Sequence, residues 1–216
     1  MKTRPKPVDR RRLIIDAARR LFATTPYDQV TTAQVAKDAG VAYGLIAHHF
    51  DHKRGLYLAV MNEIAEEIAA AQTADVPPGA PLAERLRHAL RSHIAHIDSY
   101  SDSFVALLRG ALGADPEHQS AVERLRRLGA QRILSALGVV DPVAPTLRVA
   151  MHGWIGLLDE MMIDRISHRD VDVDTLAELA ATTLATALRT AAALDSSIAY
   201  TPEAVEALRE IGAGPN

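Results

Sequence analysis

Apolar residues recur along this chain at intervals of three and four positions, the spacing that places them on one face of an α-helix. The first stripe predicts a helix from about residue 9 to residue 24. Its apolar positions are Leu13, Ile14, Ala17, Ala18, Leu21 and Phe22. Apolar and polar residues never alternate for more than a few positions, so the pattern predicts no strand, and we expect an all-α fold.

The same spacing predicts the other helices. They are expected near residues 53–72, 82–100, 102–112, 116–137, 142–168, 171–194 and 202–211. Pro116 and Pro142 suit the first turn of a helix, where the missing N–H of proline leaves no bond unmade. Residues 75–81 (DVPPGAP) form the clearest interruption and are expected to be a loop within the larger part of the chain.

The segment that begins at Thr31 predicts two short helices joined by a tight turn. Thr31 and Gln34 have the spacing of a capping box, and Gly40 suits the positive φ that ends a helix. Two helices that meet at a glycine-containing turn form the helix-turn-helix layout of DNA-binding proteins. An ordinary helical hairpin shares this local pattern. Asp51 and His52 are both candidates to cap the helix that follows.

Charge divides the chain into a basic head and an acidic body. Residues 1–60 contain eleven Lys or Arg and five Asp or Glu, an excess of six positive charges. The remaining residues contain thirteen against twenty-two, an excess of nine negative charges. A basic head fits a segment that binds a polyanion such as DNA, and a chance cluster of charge or a basic tail is the alternative.

Composition narrows the function classes further. The chain has no Cys, which excludes disulfides and thiolate metal sites and suits a reducing cytoplasm. No apolar run approaches the ~18 residues of a membrane span, and the basic N-terminus lacks the apolar core of a signal peptide. We therefore expect a cytoplasmic protein without a membrane partner.

A set of motifs spans about the first 60 residues. It consists of Leu21–Phe22, Thr31, Thr32, Val35–Ala36, Ala39–Gly40–Val41, Gly44, Ile46, His49–Phe50, Lys53 and Leu56. Together these motifs resemble the N-terminal domain of the TetR family of bacterial transcriptional regulators. Ala42, Leu45 and Ala47 depart from the family pattern, which usually has Ser, Thr and Tyr there. Those positions commonly cap the helix or touch phosphate, so these three side chains leave open whether such contacts form.

The helix-turn-helix assigns candidate DNA contacts, because its second helix enters the major groove and reads base edges with its N-terminal half. The base-reading candidates are Tyr43, Gly44 and Leu45, with His48 one turn further on. The phosphate-binding candidates are Thr31, Thr32, His49 and Lys53. Arg10, Arg11 and Arg12 could follow the DNA backbone or enter a minor groove, and a solvated basic run is the alternative.

The body offers candidates for an effector pocket on its apolar helix faces. His93 falls on an apolar stripe and needs a partner there, either a buried carbonyl or a bound ligand. A second stripe, with Met and Trp, can line an adaptable apolar pocket, although such stripes are more often core. The predicted pocket residues are His93, Ile97, Phe104, Leu108, Met151, Trp154 and Leu158. We expect a small, apolar effector.

Enzymatic function receives little support from the sequence. His93 and His96 share a helix face and could bind a metal with a third ligand from elsewhere, but no HExxH motif or Cys accompanies them. Asp159 and Glu160 are adjacent and point about 100° apart on a helix, which does not suit catalysis on one bond. We therefore predict no catalytic residue, no metal and no cofactor.

The main hypothesis is a transcriptional regulator in two parts. Residues 1–52 form a three-helix DNA-binding head with a basic arm, and residues 53–216 form a helical bundle that binds an effector and dimerises. The resemblance to the TetR family implies a repressor whose homodimer binds a palindromic DNA operator. It also implies that the helices near 142–168 and 171–194 pair in a four-helix bundle across a two-fold axis. The alternatives are a helical small-molecule-binding protein whose head has lost specific DNA reading, and a metal-dependent enzyme.

Overall fold

The structure, a computed structural model, describes residues 7–71, 79–109 and 116–213. Ten α-helices and one 3-10 turn (Tyr27–Gln29) account for most of these residues, and no strand occurs among them. The helices are α1 (Pro7–Thr24), α2 (Thr32–Asp38), α3 (Gly44–Phe50), α4 (Lys53–Ala71), α5 (Leu82–Ser99), α6 (Ser101–Arg109), α7 (Pro116–Ala136), α8 (Pro145–His168), α9 (Val173–Leu194) and α10 (Pro202–Gly212). The all-α prediction is confirmed.

The helix bounds follow the apolar periodicity closely, with one correction at α8. The predicted start at Pro142 is wrong, because the helix begins at Pro145. A residue that precedes proline is disfavoured in the helical conformation, and Ala144 is extended, with φ −55° and ψ 138°. Of the other predicted segments, most of the basic arm (1–8) and most of the loop at 75–81 lie outside the described residues.

Met1–Glu67 and Tyr100–Glu123 form one compact unit, here called the head unit. Within it, α1 packs against α2 and α6. Three aromatic rings, from α1, the 3-10 turn and α4, pack together in this unit. The Tyr57 ring lies edge-on to Phe22 at 5.0 Å and to Tyr27 at 5.2 Å between centroids. Edge-on pairs of this kind add to the burial of the rings, and here they hold the segment after α1 against α4.

Ile68–Ser99 and Arg124–Asn216 form the second compact unit, the body unit. Its central helix is α9, which packs against α5, α8 and α10. The buried residues of α9 are mostly alanine, namely Leu176, Ala177, Ala180, Ala181, Leu184, Ala185, Leu188 and Ala191. Small side chains let neighbouring helices approach closely and fill the interior at high density.

The two units are defined by the contacts that their residues make with one another. The predicted division between residues 52 and 53 instead separates DNA binding from effector binding. That functional division therefore stays a prediction. Across the described ranges, no helix is both long enough and apolar enough to cross a membrane.

Candidate nucleic-acid interface

The first helix of the predicted motif, α2, begins with the expected capping box. The Thr31 hydroxyl accepts a bond from the Gln34 backbone N–H at 3.2 Å, and the Gln34 side-chain oxygen accepts one from the Thr31 N–H at 2.8 Å. The Thr31 hydroxyl also donates to that oxygen at 2.9 Å. Both donors of Thr31 are thus used within the box, and its phosphate contact stays a prediction.

The turn after α2 has the predicted glycine conformation. Gly40 has φ +65°, a region that a β-carbon disfavours, and the Val41 N–H donates to the Ala36 carbonyl at 3.0 Å. The helix α3 follows, with Ile46 and Phe50 buried. Because these two residues are four apart, they hold one face of α3 against the head unit and leave the opposite face to solvent.

The start of α3 carries the most exposed aromatic ring of the motif. Tyr43 occupies the N-cap position and is 63% exposed. The Thr32 hydroxyl donates to the phenolic oxygen of Tyr43 at 3.3 Å. The structure therefore brings together one residue predicted to read a base and one predicted to bind phosphate.

The remaining exposed side chains of α3 are small or are histidine. Gly44, Ala47 and His48 are exposed, and Leu45 and His49 are half-buried. The rings of His48 and His49 lie 5.0 Å apart at an angle of 64°. Imidazole can donate a hydrogen bond to a base edge or a phosphate, so this end of α3 keeps donors despite the missing hydroxyls at Leu45 and Ala47.

The structure decides which residue caps α4. The Nδ1 atom of His52 accepts a hydrogen bond from the Gly55 N–H at 3.0 Å, whereas Asp51 ends α3 with φ +62°. Gly55 is required by space, because a β-carbon there would lie 2.2 Å from the Phe50 carbonyl oxygen. The tight link between α3 and α4 thus depends on a histidine cap and a glycine.

Lys53 has an internal role that sequence reasoning missed. Its ammonium donates to the carbonyls of Tyr27 at 2.8 Å and Val30 at 2.9 Å. It also lies 4.2 Å from the centroid of the Tyr27 ring, within cation–π range. Lys53 therefore ties the 3-10 turn and the segment before α2 to the start of α4. An ammonium has three donors, so one donor is left for the predicted phosphate contact, which stays a prediction.

The arginines at the start of α1 meet carboxylates of α4. Arg11 Nη1 lies 3.3 Å from Glu63 Oε1, and Arg12 Nη1 lies 3.3 Å from Glu63 Oε2. The Arg11 guanidinium also lies over the Phe50 ring, 5.4 Å from its centroid. The sequence left a DNA-backbone contact or a solvated basic run open for these arginines, and neither alternative anticipated pairing with α4.

The predicted effector-pocket residues fall into both compact units. In the body unit, Ile97, Met151, Trp154 and Leu158 are buried, and His93 is half-buried. In the head unit, Phe104 is buried and Leu108 is half-buried. The Trp154 indole N–H donates to the Ala180 carbonyl at 3.1 Å, so this polar atom is satisfied within the protein. The assignment of these residues to a pocket stays a prediction.

Two titratable groups of the body unit have shifted pKa values. Burial, with a smaller contribution from the neighbouring His96, lowers the pKa of His93 to about 4. Burial raises the pKa of Asp159 to about 6, although the adjacent Arg126 acts in the opposite direction. The Arg126 Nη2 and Asp159 Oδ2 atoms lie 2.8 Å apart. In the part of the chain that the structure describes, no three His, Cys, Asp or Glu side chains are grouped to hold a metal ion.

Two family models match this chain. The first, described as bacterial regulatory proteins of the tetR family, matches residues 14–60 and so includes the capping box, the turn and α3. The second, described as a Tetracyclin repressor-like, C-terminal domain, matches residues 82–194, which is just over half of the chain.

Relatives and solved structures agree with these matches. The HTH-type transcriptional regulator BetI of Cronobacter sakazakii is 30% identical over 159 residues, which cover 71% of this chain and 78% of that protein. A tetR-family transcriptional regulator from Streptomyces coelicolor has a TM-score of 0.77 at 24% identity, covering 97% of this chain and 90% of that one. FadR from Bacillus subtilis in complex with stearoyl-CoA has a TM-score of 0.64 at 18% identity, covering 82% and 97%. The two structures share the fold of this chain.

Proposed function

The chain belongs to the TetR family of bacterial transcriptional regulators, and we propose that it is a ligand-responsive repressor whose homodimer binds a palindromic operator. One observation carries this proposal. The helix α3 is held by the buried Ile46 and Phe50 and exposes the opposite face, which begins at Tyr43. A helix held in this way can enter a major groove without disturbing the core.

We propose DNA contacts for residues of α3 and of the segments on either side of it. Base contacts are assigned to Tyr43, Gly44, Leu45 and His48, and phosphate contacts to Thr31, Thr32, His49 and Lys53. Tyr43 has the strongest support, because it is exposed and its hydroxyl is oriented by Thr32. Lys53 is supported by its remaining donor and by its place in the first turn of α4, where a cation can meet the DNA backbone.

We propose that the homodimer forms through α8 and α9. Val149 and Leu157 of α8 and Leu179 of α9 are 61%, 44% and 49% exposed, although they are apolar. Gly153 and Gly156 lie on the same side of α8 as Val149 and Leu157, and a β-carbon at either glycine would meet no atom within 4 Å. Exposed apolar side chains beside small residues fit close packing against a second copy of the same helices.

The part of the chain from residue 53 onward is proposed to bind a small, apolar effector that shifts the dimer toward a state unable to bind DNA. Such a shift requires the effector to prefer the state that does not bind DNA. In Bacillus subtilis FadR, which shares this fold, the crystallised ligand is stearoyl-CoA, whose acyl chain is apolar. The proposed role needs no catalytic group. We also propose that residues 1–52 bind DNA and that residues 53–216 bind the effector.

The test is selection of bound sequences from a pool of random duplex DNA with the purified full-length protein. We expect enrichment of a palindrome with half-sites about 34–36 Å apart, or that spacing plus further helical turns. The Tyr43→Ala variant, run in parallel, should enrich the palindrome less. Failure of the wild-type protein to enrich any sequence at moderate salt would contradict sequence-specific binding and favour a small-molecule-binding protein without DNA reading.

A further inference from the structure

Two exposed arginines near the start of α1, Arg11 and Arg12, both pair with the carboxylate of Glu63. Both guanidinium groups reach Glu63 of α4, each at 3.3 Å and each to a different oxygen. The Arg11 side chain is 49% exposed and the Arg12 side chain 56%, while Glu63 is only 19% exposed. The charges of both arginines are therefore accessible from solvent. Glu63 partly neutralises both of them, and Arg12 also lies 3.0 Å from Asp16 and 3.8 Å from Glu67.

Arg11 lies beside the helix that is proposed to read DNA. Arg11 is over the ring of Phe50, the last residue of α3, at 5.4 Å. A cation next to the end of a helix in the major groove is close to the phosphates that border that groove. The same guanidinium thus has two possible anionic partners, Glu63 within the head unit and a DNA phosphate outside it.

A second ion pair between α1 and α4 is shorter, and its arginine is less exposed. Arg19 Nη1 lies 2.6 Å from Glu67 Oε2, the Arg19 side chain is only 17% exposed, and its guanidinium lies over the Tyr100 ring at 5.3 Å. The pairs of Arg11 and Arg12 with Glu63 are longer and more exposed. Exposed pairs of this kind contribute little to stability, so a phosphate can displace Glu63 without unfolding the contact between α1 and α4.

We propose that Arg11 and Arg12 are DNA-phosphate ligands for which Glu63 competes, so that Glu63 lowers the affinity of the head for DNA. This inference rests on the proposed function. A guanidinium that stays paired with Glu63 is withheld from phosphate, and this exclusion couples the α1–α4 contact to the DNA site. By reciprocity, the factor by which pairing with Glu63 lowers the affinity for DNA is also the factor by which bound DNA disfavours that pairing.

The experiment compares Glu63→Gln with a matched control, Glu66→Gln. Glu66 is exposed and lines the same open groove of about 520 Å³ as Arg11 and Glu63. Among the described residues, none of the ion pairs includes Glu66. Both substitutions remove one negative charge from the same side of α4, so their long-range effects on DNA are similar, and only Glu63→Gln releases arginines.

The readout is the dissociation constant for duplex DNA as a function of salt. We expect Glu63→Gln to bind several-fold more tightly than Glu66→Gln at 50 mM salt, with a salt slope steeper by about 0.9 for one gained phosphate contact. Its advantage should then shrink roughly 3.5-fold between 50 and 200 mM salt. Equal dissociation constants and equal slopes for the two variants would overturn the inference.

A double-mutant cycle identifies the released arginine. In Glu63→Gln, Arg12 keeps its pairs with Asp16 at 3.0 Å and Glu67 at 3.8 Å, so Arg11 should account for most of the gain. We expect Arg11→Ala to remove most of the gain in the Glu63→Gln background and to have a smaller effect in the wild-type background. If the gain survives Arg11→Ala and Arg12→Ala together, the arginines are not the ligands and the inference is wrong.

Two further measurements separate this inference from folding and from the proposed function. Thermal midpoints of all variants should lie close to the wild-type value, and Glu63→Asp, which shortens the carboxylate by one methylene, should give a smaller gain if Glu63→Gln folds poorly. Absence of any DNA binding by the wild-type protein would contradict both proposals. Wild-type binding with no difference between Glu63→Gln and Glu66→Gln would contradict the competition alone.

Discussion

The hydroxyl of Thr32 lies 3.3 Å from the phenolic oxygen of Tyr43. This bond links the first residue of α2 to the residue that precedes α3, so the two helices of the motif jointly orient the ring that is proposed to read a base. Tyr43 is 63% exposed, and substitution of exposed side chains usually changes stability little. Variants at these two positions therefore test DNA reading separately from folding.

Tyr43→Ala should weaken binding to the selected operator by about 10- to 100-fold, the range expected for one lost base contact. Tyr43→Phe keeps the ring and removes the bond to Thr32, so a smaller loss is expected. Thr32→Val removes the same bond and the proposed phosphate contact of Thr32, so it should lose at least as much affinity as Tyr43→Phe. Fluorescence anisotropy with the operator and with a shuffled duplex measures these losses. Unchanged affinity of Tyr43→Ala for the operator would exclude Tyr43 from the interface.

Lys53→Ala should affect both stability and DNA binding. Loss of the bonds to the Tyr27 and Val30 carbonyls is expected to lower the free energy of unfolding by about 1–3 kcal/mol. Loss of the proposed phosphate contact is expected to reduce the salt slope of DNA binding by about 0.9. Denaturant unfolding and salt-dependent titration measure the two effects. Reduced stability with an unchanged slope would assign Lys53 to the internal contact alone.

Protonation of His93 should make the folded chain sensitive to acid. Its pKa is lowered from 6.5 to about 4, so between these values the unfolded chain binds a proton that the folded chain does not. Stability is then complete above pH 6.5 and is lost as the pH falls toward 4. From pH 7 to about pH 4.5 we expect wild type to lose on the order of 2 kcal/mol relative to His93→Leu.

The comparison with His93→Leu is needed because Asp159 titrates in the same range with the opposite sign. Its raised pKa of about 6 means that the folded state gains stability as the pH falls through this value. Urea unfolding of both proteins at each pH isolates the His93 contribution, since Asp159 is present in both. A difference between them that does not vary with pH would contradict the assignment.

Leu157→Glu should prevent dimer formation by placing a carboxylate in the proposed interface of α8 and α9. We expect the dimer dissociation constant to rise at least about 100-fold, because a charge would be buried without a partner. Val205→Glu in α10 is the matched control, since Val205 is also apolar and is 54% exposed. Sedimentation velocity measures both. A monomeric Val205→Glu and a dimeric Leu157→Glu would locate the interface elsewhere.

Much of the DNA-binding motif could be predicted because its signals are local. The capping box joins two residues three positions apart, Thr31 and Gln34, and Gly40 adopts its positive φ within the turn itself. The start of α8 was mispredicted for a local reason as well. Both Pro142 and Pro145 suit a first helical turn, and the helix begins at Pro145 because the preceding Ala144 is extended. The choice between Asp51 and His52 as the cap of α4 needed the geometry of the whole link.

Contacts between distant residues could not be predicted in the same way. Lys53 and Tyr27 are 26 positions apart, and Arg11 and Glu63 are 52 apart. The head contains several Lys, Arg, Asp and Glu residues that could pair in many combinations, and composition alone does not rank them. Residues 1–60 carry a net positive charge. That count did not show that Glu63 of α4 partly neutralises Arg11 and Arg12.

The sequence by itself determined the all-α fold, the order of the helices and the helix-turn-helix, because helical periodicity and caps are set within one or two turns of chain. Only the tertiary structure decided that Lys53 turns toward loop carbonyls, that His52 caps α4, and that Arg11 and Arg12 meet Glu63. Those contacts depend on which polar groups come to lie beside one another once the apolar faces of distant helices are buried.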